Sequence, residues 1–160
     1  MKNNLEFRKI DGTIIHNVLQ YVKDFITKYP YCEVSIGCDS HMHSRYIKYV
    51  IVICLHDVDD CGVGHGAHVI SADYVDYSKN LKTDLYAKLW QEAELSIEVA
   101  DRIKDCGKKL SIHLDYNSDE NALSNVLYDS GLGYVKSMGY EGVGKPLSYS
   151  ATYCADHLAR

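Results

Sequence analysis

Val34-Ser35-Ile36-Gly37-Cys38-Asp39-Ser40-His41 is a short apolar run that ends on one carboxylate and passes at once into polar residues. Its length and composition predict a buried strand over about Glu33 to Asp39, with Asp39 carried out at its end. The open end of a sheet is where α/β proteins gather their ligands and chemistry. One aspartate there is not yet a site, so what matters is whether the chain delivers further acids to the same place.

Upstream, Ile14, Val18, Tyr21, Val22, Phe25 and Ile26 recur at helical spacing. They predict an amphipathic helix over about 12–29, with Asp11 or Thr13 as its cap and Pro30 as its stop. Downstream, Arg45 to His56 (RYIKYVIVICLH) reads as a long strand, Asp57 to Gly64 as a turn, and His65 to Ala72 as a third strand. These three strands most simply form an antiparallel meander. From Ser78 to about Cys106 the period changes: Leu85, Leu89, Ala93, Ser96, Ile97, Ala100 and Ile103 make one apolar stripe, and Gly107 ends the helix. Lys109 to Asp115 is a fourth strand that again finishes on aspartate. A helix over Asn121–Asp129 follows, capped by Ser118 or Asp119 and closed by Gly131. Gly133–Met138 is then a fifth short strand, 139–146 a loop, and Ser148 or Ser150 opens a last helix. The expected fold is α/β: an extra N-terminal helix, then β-β-β-α-β-α-β-α in a five-stranded mixed sheet with helices on its faces. No repeat or linker interrupts it, so residues 1–160 read as a single domain with its core over about 33–160.

Composition narrows the function classes. A hydrophobic share of 46% beside 24% charged residues is that of an ordinary globular chain able to bury a core. No run approaches the roughly 18 apolar residues of a membrane span, and the start carries no apolar leader. The expectation is therefore a cytoplasmic protein without a membrane partner. Six scattered cysteines with no C-x-x-C pair read as reduced thiols. A net charge of −5 argues against broad charge-driven nucleic-acid binding while allowing a local basic patch.

Two expected strands end on aspartate, Asp39 and Asp115, where a crossover can set them side by side. A third acid should come from the long helix. At roughly 100° per residue, Glu92 falls at the edge of the apolar stripe, whereas Glu94 and Glu98 point outside it. A carboxylate beside a sheet-facing stripe needs a charge partner or a metal, and Glu92 is the choice on that ground. Asp156 in the last helix is the fourth, with Ala151 and Ala155 small enough for close approach to the sheet. Magnesium takes hard oxygen ligands and keeps several waters, so a few clustered carboxylates suffice. Two such ions roughly 4 Å apart activate water and stabilise the leaving oxygen of a phosphodiester.

At this point Gly37-Cys38-Asp39-Ser40-His41, Ile112-His113-Leu114-Asp115 and Lys145-Pro146-Leu147-Ser148-Tyr149-Ser150-Ala151 resemble the YkuK family of ribonuclease H-like nucleases. The resemblance runs from about Val34 onward. It implies a ribonuclease H-like fold and a nuclease that hydrolyses RNA or DNA with two Mg2+ or Mn2+ ions held by Asp39, Glu92, Asp115 and Asp156. Asp39 would bridge the ions, Glu92 and Asp115 would complete one site, and Asp156 would help hold the second. His41 and His157 are candidates for proton transfer, and Lys145 and Ser148 for substrate contact. The chain departs from the family in carrying Cys38 where threonine is expected and His41 where glutamine is expected, and an imidazole there could alter metal preference.

Three other readings compete. Cys54, His56, Cys61, His65 and His68 suggest zinc, but they lack the tight paired spacing of a tetrahedral site. Gly62-Val63-Gly64-His65-Gly66 resembles a phosphate cradle, yet no helix or Lys-Ser/Thr follows. The third is a binding or scaffolding module that keeps the fold without cleavage. Its phosphate contacts would be Arg45, Lys48, Lys79, Lys82, Lys136 and Lys145, a sparse set; a pure polyanion binder gains nothing from four acids.

Overall fold

The sheet grows outward from its longest strands, β3 (Glu33–Met42), β4 (Ile47–Val58) and β5 (Gly64–Asp76), in a computed structural model that describes residues 5–78, 84–118, 121 and 125–160. These pair antiparallel as a meander, Asp39 opposite Val50 and Val50 opposite Asp73. The apolar run of β4 has both faces covered, which suits the central strand of a sheet. Before it come β1 (Phe7–Lys9), β2 (Ile14–Ile15) and helix α1 (Val18–Lys28). After it come α2 (Leu85–Ile103), β6 (Leu110–His113), α3 (Tyr128–Ser137), β7 (Glu141–Val143), and a π-helical segment, Ser150–Ala155, that runs into α4 (Asp156–Ala159). The seven strands lie in the order β2-β1-β5-β4-β3-β6-β7, with β6 parallel to β3 and β7 parallel to β6.

The mixed α/β architecture and the order of elements after α1 are as expected, but seven strands form, not five. Two come from an N-terminal hairpin. Asp11 and Thr13 cap a turn, not a helix: Thr13 N–H donates to Asp11 Oδ1 at 2.9 Å, Gly12 takes φ 87°, and Ile14–Ile15 pairs with β1. The helix begins instead after Asn17, whose Oδ1 accepts from Gln20 N–H. In the second half, Gly133–Met138 is helical, and the fifth core strand is β7, inside the expected loop. Gly131 sits within α3: a Cβ there would lie 2.2 Å from the Tyr116 ring, so that glycine makes room for an aromatic instead of ending a helix. The described start of α2 is capped by Asp84, whose Oδ1 accepts from Tyr86 and Ala87 N–H. The expected start at Ser78–Thr83 and the Asp119 cap fall largely outside the described residues.

Side-chain alternation divides β3 between two faces. Val34, Ile36, Cys38 and Ser40 face α1, α2 and α3, where the main core sits. Ser35, Gly37, Asp39 and His41 face the π-helical segment and α4. That segment lies close against the sheet. A Cβ on Gly37 would come within 2.5 Å of Ala151 N, and Ala151, Ala155 and Ala159 are buried there. All six cysteines are free thiols. Among the described residues no helix is long and apolar enough to cross a membrane.

Candidate active site

β6 stops pairing with β3 at His113 opposite Gly37, while β3 runs on to Met42. An open edge therefore begins one residue before Asp39. Asp39 lies inside β3, not at its tip as expected, because pairing with β4 holds Ser40, His41 and Met42 in the strand whatever their burial. Asp115 follows two residues after β6 ends.

The four acids are of two kinds. Asp39, half-buried, has its carboxyl pushed up to about 6, first by burial and then by the charges of Asp115 and Asp156, against the opposing backbone N–H of Ser40 and the charge of Lys88. Glu92, only 2% exposed on α2, is pushed up to about 8, again first by burial, with Asp39 and Asp115 adding to it. Its Oε1 accepts from Ser40 Oγ at 2.6 Å. Among the described residues neither acid is ion-paired. The outer two are paired. Asp115 accepts from Lys145 Nζ at 2.8 Å and from Thr152 Oγ1 at 2.9 Å. Asp156 takes a fork from Arg160, whose Nε and Nη2 each lie 3.0 Å from a carboxylate oxygen. Of the rival glutamates on α2, Glu94 is exposed and Glu98 pairs with Arg102 at 3.1 Å.

The other sequence candidates lie around this cluster. His41 and His157 are exposed. Ser148 is fully buried and shares a 3.1 Å hydrogen bond with Thr152, so it orients the side chain that holds Asp115 and offers no surface to a substrate in this conformation. Cys38 points into the core, 2% exposed. Lys79 and Lys82 lie outside the described residues. The zinc set does not assemble. His68 bonds Tyr21 and stacks on Phe25 on the α1 face, Cys54 is buried under the π-helical segment, and His65 bonds Asp59 at the β4–β5 turn.

Sequence reasoning missed four partners: Ser40, Thr152, Arg160 and Tyr49. Tyr49 stands opposite Ser40 on β4, is fully buried, and its hydroxyl has no hydrogen-bond partner. After burial, the Glu92 charge is the strongest influence raising its pKa. Of these four only Arg160, at i+4 from Asp156, carried a sequence signal.

The donor set fits hard divalent ions. It is all oxygen, it includes two acids raised by burial that make no ion pair among the described residues, and the charge of one of them bears on the unpartnered Tyr49 hydroxyl. The carboxylates do not crowd, however. Among the described residues the one group of three acid, thiol or imidazole ligand atoms within 4.8 Å of one another is Asp59, Asp60 and Cys61, in the β4–β5 turn.

No curated protein and no solved structure matches the chain. The family model described as Ribonuclease H-like matches residues 17–160, which takes in the sheet from β3 to β7, all four helices and all four acids, and the chain belongs to the ribonuclease H-like family.

Proposed function

We propose that the protein is a metal-dependent nuclease that hydrolyses phosphodiester bonds of RNA or DNA. The observation that carries this reading is the pair Asp39 and Glu92: two carboxyls withdrawn from water, each raised by burial and by the other acids, and neither ion-paired among the described residues. Such an arrangement is costly unless something positive is meant to enter. Asp39, Glu92, Asp115 and Asp156 would hold Mg2+ or Mn2+. Two such ions, when bound, would lower the pKa of a water and offset charge on the phosphate.

The chain's own residues then divide the remaining work. Ser40 fixes the Glu92 carboxyl, and Thr152 fixes Asp115. Lys145, already against Asp115, is the cation best placed to turn to a substrate phosphate. His41 lies two residues from Asp39 on the same face and His157 adjoins Asp156, which suits either to take up a proton. The resemblance to the YkuK family supports this reading. A second reading, a binding or scaffolding module, draws on Lys145–Asp115 and Arg160–Asp156, which neutralise two of the acids without a metal.

The test compares wild type with Asp39→Asn on single-stranded, duplex and hybrid substrates, with Mg2+, with Mn2+ and in EDTA. Cleavage that needs metal and disappears in the variant supports the nuclease; equal, metal-independent behaviour of the two chains sinks it.

A further inference from the structure

Beyond Asp39 on the same face, four rings form a continuous row. His41 and His43 meet edge to face at 5.1 Å, His43 and Tyr46 stack at 4.5 Å with 29° between their planes, and Tyr46 meets Tyr77 at 5.6 Å. Strand alternation explains why they share a side. Asp39 and His41 are two apart on β3, His43 continues that parity, and Tyr46 lies two before Lys48, the partner of His41. Tyr77 continues β5 beyond Val75, the partner of Lys48. The row thus starts next to the acid cluster and runs out over the β3–β4 turn, closed by the His43 N–H to Tyr46 carbonyl bond at 2.9 Å. His41 is exposed, Tyr77 is 70% exposed, and Arg45 stands exposed in the turn itself.

We propose that this row is a stacking platform for the bases of a single-stranded nucleic acid whose backbone passes the acid cluster. The inference rests on the reading of Asp39 as part of a phosphodiester-cleaving centre. Base faces are free for an aromatic ring only where the strand is unpaired; within a duplex they are already stacked. The charge balance points the same way. At a net −5, with Lys48 committed to Asp73 at 3.3 Å, backbone attraction along the row itself is weak, and stacking has to supply the affinity there. Among the described residues of the turn, a duplex would find one uncommitted cation for its phosphates, Arg45.

Fluorescence anisotropy in EDTA, where no metal-dependent cleavage consumes the probe, tests this with a short labelled single strand and its duplex. Wild type is expected to prefer the single strand. Tyr46→Ala and Tyr77→Ala should each weaken single-strand binding about tenfold and leave duplex binding and the salt dependence of binding unchanged, while Tyr46→Trp keeps the affinity. Tyr77 is exposed, so its variant keeps the wild-type melting temperature and carries the test even if Tyr46→Ala does not fold. Absence of single-strand preference in wild type, or unchanged single-strand affinity in Tyr77→Ala, overturns the platform. The nuclease reading fails separately, in the Asp39→Asn cleavage assay: ring-dependent binding without cleavage leaves a single-strand binding module, and cleavage with ring-independent binding leaves a nuclease without this platform.

Discussion

Two acidic places in this molecule look alike in sequence and differ in physics. In the β4–β5 turn, Asp59, Asp60 and Cys61 bring ligand atoms within 4.8 Å of one another. Around β3, no three of Asp39, Glu92, Asp115 and Asp156 come that close, since all four are described residues. Yet Asp59 is fully occupied: it accepts from Cys61 N–H at 3.0 Å, from Val63 N–H at 2.8 Å and from His65 Nε2 at 3.0 Å, and these bonds hold its carboxyl below the usual range. Asp39 and Glu92 are displaced the other way, by burial and like charge. Closeness alone therefore does not mark a site. An acid spent on a turn is content without a ligand, whereas a buried acid facing other acids is stabilised only when a proton or a cation arrives.

The largest expected effect separates the two places directly. Asp39→Asn should lower metal-dependent cleavage by about a thousandfold or more, beyond the 10–100-fold typical of losing an outer partner of a metal ligand. Asp59→Asn should leave cleavage at the wild-type rate. Equal losses in the two variants would erase the distinction.

Metal binding read through stability gives the next. With free Mn2+ at a hundred times its dissociation constant, the folded state gains about 2.7 kcal/mol. Thermal melting should show this gain in wild type and in Asp59→Asn, and not in Asp39→Asn. A gain that follows Asp59 instead would move the metal to the turn.

Acidity supplies a third contrast, in metal-free protein. Glu92 keeps its proton in the folded state up to about pH 8, whereas unfolded chains release it near the ordinary glutamate value of 4.5. The folded state therefore holds more protons across that window, and stability falls as pH rises through it. Asp39 adds a similar fall up to about pH 6. His113, pushed down to about 4 by burial, acts oppositely: its contribution is complete above about pH 6.5 and is lost as pH falls towards 4. Above pH 6.5 the Glu92 share of the fall is about 2 kcal/mol by pH 8. Urea melts of wild type and Glu92→Gln should diverge by that amount, the difference cancelling His113 and the hydrogen-bonded Cys54–Cys154 thiols. Saturating Mn2+ should remove the divergence.

Much of this was legible in the sequence. The apolar run of β4 and the stripe of α2 allow few alternatives, and the burial of Glu92 follows from its angle to that stripe. What misled was punctuation. Gly131 reads as a helix end but serves the Tyr116 ring, and Asp11 and Thr13 read as helix caps but turn a hairpin through Gly12. The inner partners were illegible for another reason. Ser40 meets Glu92 across 52 residues of sequence and Thr152 meets Asp115 across 37, and no local period encodes such meetings. They are consequences of strand register, which hydrophobic pattern sets only after the sheet order is known.

Tyr49 gives the smallest effect and the sharpest sign. Its hydroxyl is buried without a partner, opposite the serine that holds Glu92. In metal-free protein that orphaned group costs folding free energy, so Tyr49→Phe should raise stability by about 1 kcal/mol. With Mn2+ held at the site Glu92 would be ionised, and the charge that, after burial, already bears most on this hydroxyl would favour an O–H turned towards it. The same variant should then lose its advantage and bind Mn2+ about tenfold more weakly, the low end of the range expected for an outer partner of a metal ligand. Denaturant melts with and without Mn2+ read both halves. A gain in stability that persists undiminished with metal would show that Tyr49 packs the core beside the site without serving it, and Glu92 would then depend on Ser40 alone for its orientation.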